Sequence, residues 1–453
     1  MPKAAKKAHD VVVVGAGPAG IFCVLKLLAS GIHDIVMIDM GKDIGGRKRR
    51  GKDLLCGWGG AGAFSDGKIT LSPEVGGFLG EYLDRETLRR LLEEADRTYL
   101  EFGAPTEVYG APSDELDNLR TEARQAGIEL VPNQVRHLGT ENCFHLLSRM
   151  RKELDGKVEV LTETRAETVS MENGHVRGII TADGKEVRAR AVVCAPGRTG
   201  AGWMRGEANK LGLESRPNPV DIGVRVETQA SIVLKLTETC YEAKLVAYSK
   251  TFEDKIRTFC MNPYGEVVIE ELDGLVTVNG HSYAGKKTDN TNFALLVSSS
   301  FTRPFDDPIR YGRDIAGLAN MLGHGVIVQR LGDLRHGRRS NPERLARSTT
   351  RPTLESAVPG DLSFVLPYRL LKSIMEMLEA MDSLTPGIYS RDTLLYGVEV
   401  KFYSNRIALS PHLETQIPNL FAIGDGAGIT RGLLQASASG LRAGEAIAAR
   451  FKG

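Results

Sequence analysis

The sequence predicts an α/β protein in two parts: a parallel sheet with helices and a β-meander, and an α+β domain inserted into it. Three observations predict this. An apolar run, His9 to Val14, passes through a glycine turn into a helical stretch and then a second apolar run, Ile35 to Ile38. A further apolar strand at 420–423 runs into another glycine turn close to the C-terminus. Between these ends, residues 217–400 alternate strand-like runs (Val224–Glu227, Phe293–Ser298) with amphipathic helices and contain no second G-x-G-x-x-G turn. The expected boundaries are 1–215 and 405–453 for the outer domain and 216–404 for the insertion.

The first element decides the outer domain. A continuous apolar strand is the mark of burial on both faces. Here it meets Gly15-Ala16-Gly17-Pro18-Ala19-Gly20, a helical stretch closed by Gly31, a second strand, and Asp39-Met40. Strand, glycine turn, helix, strand and acid form the context in which G-x-G-x-x-G marks a Rossmann-like dinucleotide site. Asp39 stands 19 residues beyond Gly20, near the spacing that brings an acid to a ribose. Gly15 permits the turn, Gly17 admits a diphosphate to the backbone, and Gly20 lets the helix approach the strand. The helix N-terminus then attracts the anion.

Composition narrows the function. Hydrophobic residues make up 42% and charged residues 25%, an ordinary globular balance. Lys plus Arg number 58 against 57 Asp plus Glu, so nothing in the totals points to a nucleic-acid partner. The N-terminal MPKAAKKAHD is basic but lacks a signal-peptide core, and no apolar window is long enough for a membrane span. Six scattered cysteines with no C-x-x-C pair suggest reduced thiols, a cytoplasmic location and no metal site.

Further signatures follow in order. Gly45-Gly46-Arg47 comes shortly after Asp39. Helices are expected over 85–102, 113–126 and 141–154, and strands near 157–161, 165–171 (with Ala166 at its start), 175–181 and 187–194. The last strand ends in Cys194-Ala195-Pro-Gly197, and the C-terminal return reads Leu420-Phe-Ala-Ile-Gly424-Asp425. The helix from Gly432, through Leu433, Leu434 and Gln435, carries a small-residue face: Ala436, Gly440, Ala443, Gly444 and Ile447.

The glycine turn at 15–20, the pair at 45–47 and Gly424-Asp425 together resemble the FAD-dependent oxidoreductases related to glutathione reductase, especially the branch of the fumarate reductases and amine oxidases. Within it, GGAGAFSDGK, RTFCMNPYGE and GVEVKFYS (ending at Ser404) are similar to proteins described as NAD(FAD)-utilising or FAD-dependent dehydrogenases. The resemblance implies FAD as cofactor, Arg47 and Ala166 near it, Ala195 and Gly197 at re-entry into its domain, Asp425 on its ribityl chain, and the Gly432–Gln435 turn beside its ring.

Gly62-Ala-Phe-Ser65-Asp66-Gly-Lys68 fits G-x-x-x-x-G-K. A nucleotide triphosphatase loop needs a strand before it and Ser or Thr after the lysine. Trp58-Gly59-Gly60-Ala61 precedes this one and Ile69 follows. The expectation is therefore a loop lining FAD, with Gly59, Gly60 and Gly62 admitting it and Ser65, Asp66 and Lys68 reaching towards it.

For catalysis, flavin performs the redox step and the protein supplies orientation and a proton. Arg257 and Cys260, in RTFCMNPYGE, fall where the resemblance implies a strand facing substrate; a small buried cysteine is the plainer reading of Cys260. His281 lies in a loop-like Asn-Gly-His, suited to acid–base work or simply exposed. Lys401 shares a strand face with Glu399, as a substrate-orienting cation or a surface ion pair.

The function expected is hydride transfer between a small organic substrate and FAD. The alternatives are a membrane-surface isoprenoid-type reductase and a non-catalytic FAD-binding module. With no C-x₄-C and no second dinucleotide turn, the electron partner (nicotinamide, quinone, electron-transfer protein or oxygen), the substrate and the oligomeric state stay open.

Overall fold

The computed structural model describes residues 8–272, 274–283, 286–301, 307–402 and 405–452. Most of the basic N-terminal segment and Ser404 lie outside them. The chain divides into two compact units, Met1–Glu107 with Arg136–Asn218 and Ser404–Gly453, and Val108–Val135 with Pro219–Tyr403.

In the first unit the strands Glu159–Leu161, Ile35–Ile38 (β2), His9–Val14 (β1) and Glu186–Cys194 pair in parallel in that order. Glu186–Cys194 is shared. Its first half pairs with His175–Thr181, which pairs with Ala166–Glu172 to form the meander, and its last residues pair with the returning strand Leu420–Ala422. Val11, Val12 and Val13 are fully buried, as an apolar run flanked on both sides requires. Helix α1 (Pro18–Ala29) packs on the C-terminal helix Leu433–Lys452 through the small-residue face. A Cβ on Gly440 would stand 2.1 Å from the Ala19 carbonyl oxygen, so the two backbones touch.

The helices Arg85–Glu101, Asp114–Gln125 and Thr140–Glu153 form where their apolar spacing places them. Asp84 and Ser113 start the first two by accepting the Thr87 and Leu116 amides.

The second unit is an eight-stranded sheet. Its central order is Ile327–Arg330, Leu394–Lys401, Val220–Gln229, Asn290–Ser299, Lys255–Asn262 and Lys244–Tyr248. One face is apolar, with Ile222, Val224, Val226, Phe293, Leu295 and Val297 in a core with the helix Tyr368–Met381. The other face carries polar side chains and the hairpin Glu266–Leu272/Leu275–His281.

Residues 108–135 depart from the single insertion expected at 216–404. Glu129–Val131 pairs with Lys244–Tyr248 at the sheet edge, and Leu116, Leu119 and Ala123 enter the second core. A three-residue strand carries no readable period, so its partner was invisible in the sequence.

Candidate functional site

In the first unit the glycine turn is held by backbone contacts. Gly15 has φ +108°, and a Cβ there would lie 2.0 Å from the Ala195 carbonyl oxygen; the Ala195 amide in turn donates to Val14 at 2.7 Å. Gly17 caps α1 with Pro18 in the first turn, and a glycine cap offers the first-turn amides no side-chain acceptor. The loop 59–62 crosses this end. The Gly59 amide donates to Ala16, Gly60 (φ +53°) approaches Gly17 with only 3.1 Å for an added Cβ, and one on Gly62 would meet Leu433 at 3.0 Å. Ala61 is half-buried beside them. Gly60–Phe64 forms a short 3₁₀ turn, and Lys68 opens a three-residue strand where a triphosphatase loop would have a helix.

Several cofactor candidates are engaged differently from expectation. The Asp39 carboxylate accepts three backbone amides, from Ala16 and Gly41 at 2.8 Å and Gly57 at 2.9 Å. A carboxylate offers about four acceptor positions, which leaves one for a ribose hydroxyl. Arg47, 6% exposed, donates through Nε and Nη2 to the Asp53 carbonyl at 3.0 and 2.6 Å and through Nη1 to that of Trp58, under the Phe64 ring. It clamps its own loop, and burial lowers its pKa. Ser65 Oγ donates to Gly62 and Lys68 Nζ sits 3.1 Å from Asp66, so both brace the loop internally. Met40, Gly45 and Gly46 are exposed. Ala166 begins its strand just after Thr164, whose amide donates to the Asp39 carbonyl. Gly197 has φ +62° and open space beside it.

At the return, a Cβ on Gly424 would meet that of Ala19 at 2.9 Å, and Asp425 accepts the Thr430 hydroxyl at 2.6 Å. Burial raises the Asp425 pKa, opposed by Arg198 at 4.0 Å and by Thr430. Gly432 lies against Gly76, leading into Leu433, the fully buried Leu434, and Gln435. Gln435 Nε2 donates to the Pro73 and Val75 carbonyls, while its Oε1, buried at 1% exposure, has no partner among the described residues. The Gly17–Gly60 approach and this lone acceptor at a helix start fit a large ligand with an anionic centre and a polar ring. The sequence reading missed Thr430 and Arg198, and also Phe78, stacked by Arg406 at 3.5 Å and Arg431 at 4.4 Å. The Thr-Arg pair before Gly432 was the available signal.

The second unit gathers a buried charged cluster on its polar sheet face. Arg225, 0% exposed, donates Nε and Nη2 to both oxygens of Glu399 at 2.8 and 2.7 Å; it also reaches the Cys260 carbonyl at 2.7 Å and Asn279 at 2.9 Å. A bulge makes this possible. Gly223 faces Glu399 while Arg225 faces Tyr396, so the extra residue brings Tyr396 and Glu399 to one face. Lys401 lies 3.0 Å from Glu399 and 3.4 Å from Glu270. Burial alone would lower its pKa, but the two carboxylates hold it raised. Lys401 is thus a member of a charge-balanced network and not a lone cation.

Cys260 sits at a second bulge with φ +46°. Arg257 stands apart, donating to Asp221 at 2.5 Å beside the Phe259 ring. His281 ends a strand opposite Glu266, correcting the loop-like reading: Asn-Gly-His closes the hairpin instead of interrupting it.

Glu227, also missed, is fully buried and takes hydrogen bonds from the Tyr396 and Thr353 hydroxyls. Burial raises its pKa. A raised carboxyl makes the folded state bind more protons than the unfolded one, so stability falls as pH rises above the ordinary glutamate value of 4.5. Glu227→Gln is expected to remove that loss; urea midpoints from pH 4 upward that keep the wild-type slope would disprove it.

Residues 10–219 match the model of an FAD binding domain, and residues 219–402 that of an FAD-dependent protein, C-terminal domain-like. An uncharacterized protein of Clostridium beijerinckii is 25% identical over 480 residues, covering 97% of this chain and 81% of its own. Among solved structures, a 3-ketosteroid dehydrogenase of Rhodococcus jostii has a TM-score of 0.46 at 15% identity, with 99% of this chain and 98% of that one covered. The quinol fumarate reductase of E. coli gives 0.44 at 14%, with 98% and 70% covered. No helix of the described residues is long and apolar enough to cross a membrane.

Proposed function

The chain carries the two domains of an FAD-dependent protein, and from that premise we propose that it is an FAD-dependent oxidoreductase that moves a hydride between a small organic substrate and FAD. Bound FAD supplies the two-electron chemistry. The first-turn amides of α1 hold the diphosphate, and the remaining acceptor position of Asp39 orients the ribose. Asp425, with Thr430, holds the ribityl chain. The observation that carries the reading is the start of the C-terminal helix. Its positive end lies beside the lone Oε1 of Gln435, an acceptor for a ring N–H, and suits a ring that gains negative charge on reduction.

The second unit is the substrate domain in this proposal, with Cys260 and His281 as proton-handling candidates and Arg257 as a substrate cation. Lys401 is demoted to positioning through Glu399. Purified protein should be yellow. Anaerobic photoreduction followed by a screen of nicotinamides, quinones, electron-transfer proteins and oxygen should find turnover with at least one. Flavin that reduces but exchanges electrons with none of them marks a binding module and defeats the proposal. Asp425→Ala should weaken FAD by about 1–3 kcal/mol; undiminished flavin retention after dialysis would remove Asp425 from the site.

A further inference from the structure

We propose that the arginine-rich face formed by residues 331–351 docks the protein on the headgroups of an anionic lipid bilayer. Six arginines (335, 338, 339, 344, 347 and 351) and two acids, Asp333 and Glu343, fall in this stretch, a local charge of +4. The whole chain carries +1, so all other residues sum to −3. The positive charge is concentrated and presented outward. Asp333 is 1% exposed and lies beneath the face, where it takes Arg338 Nε at 2.9 Å and the Ser340 hydroxyl at 2.8 Å.

Arg344 also lies 3.7 Å from Asp333, while the other four guanidiniums are held by neutral groups. Arg335 stacks on the Tyr389 ring at 4.3 Å, Arg347 donates to the Glu343 carbonyl at 3.3 Å, and Arg351 to that of Ala346. Carbonyls and rings fix a guanidinium without cancelling its charge, so the face is ordered and still cationic.

An apolar rim is locked to it. Buried Gln329 donates to the Arg338 carbonyl at 2.9 Å and the Asp361 carboxylate at 3.3 Å, and accepts the Leu362 amide at 2.8 Å. The Ser340 amide donates to Gly360 at 3.0 Å. This turn carries Val358, 42% exposed, and Phe364, 73% exposed and the most exposed large hydrophobic residue described. An anionic leaflet attracts such a cluster of arginines within a Debye length of its surface, and a protruding aromatic side chain enters the headgroup layer. Basic and apolar groups on one face fit that partner better than a purely polar polyanion. The inference concerns where the protein resides and stands whether or not the hydride reading holds.

The test uses full-length holoprotein sedimented with phosphatidylcholine vesicles, either pure or carrying about 30 mol% phosphatidylglycerol. Wild type should pellet only with the anionic vesicles, and high salt should release it. Arg339→Glu combined with Arg347→Glu should weaken binding at least ~10-fold. Phe364→Ser should weaken it roughly fivefold and leave the salt dependence intact. Flavin content and circular dichroism confirm that the variants fold. Equal binding to neutral vesicles, no binding, unchanged variants, or displacement by an RNA oligomer at equal phosphate concentration would each overturn the proposal, the last by reassigning the face to nucleic acid.

Discussion

Glu399→Ala is expected to destabilise the protein by about 3–5 kcal/mol, the cost of leaving a buried charge without its partner. Arg225 has no exposed surface, and Glu399 supplies both oxygens of its bidentate pair. The groups that remain, the Asn279 and Asn292 side chains and the Cys260 carbonyl, are dipoles and do not balance a full charge. Lys401 would lose its 3.0 Å carboxylate at the same time. Urea unfolding followed by circular dichroism measures the loss. Arg225→Met with Glu399→Leu should recover much of it, because removing both charges also removes their desolvation cost. A single variant within about 1 kcal/mol of wild type would show that the pair is solvated in solution.

Gly15→Val is expected to abolish flavin binding and most of the soluble yield. The position has φ +108°, which a β-branched residue does not adopt, and the new Cβ would overlap the Ala195 carbonyl at 2.0 Å. Relief requires β1 to part from the strand Glu186–Cys194, the central pairing of the first sheet. Expression followed by absorbance of the purified fraction decides it. A folded yellow Gly15→Val protein would mean that the turn differs from the one described.

The first unit was legible because its signals are local. Glycine turns and apolar runs state their structure within a few residues, so Gly15–Gly20 and Gly440 could be read directly. The charged cluster was hard to read because it is assembled from afar. Arg225, Glu270, Asn279 and Glu399 lie on four strands, and a bulge decides which face Glu399 takes. Lys401 was singled out from its spacing to Glu399, but spacing could not disclose a second carboxylate from the hairpin. Arg47 shows the same limit: the motif fixes its place in the chain, whereas the carbonyls that receive its guanidinium belong to the loop's closure. The arginines of 331–351 were plainly visible, and a chain-wide total near zero concealed them.

The three amides on Asp39 bear on how the first unit coheres. They come from the glycine turn, the residues just past β2 and the loop at Gly57, so one side chain joins three segments. Asp39→Ala therefore unties all three at once. Limited proteolysis of that variant should then open the stretch between Gly41 and Gly57 ahead of the rest of the fold.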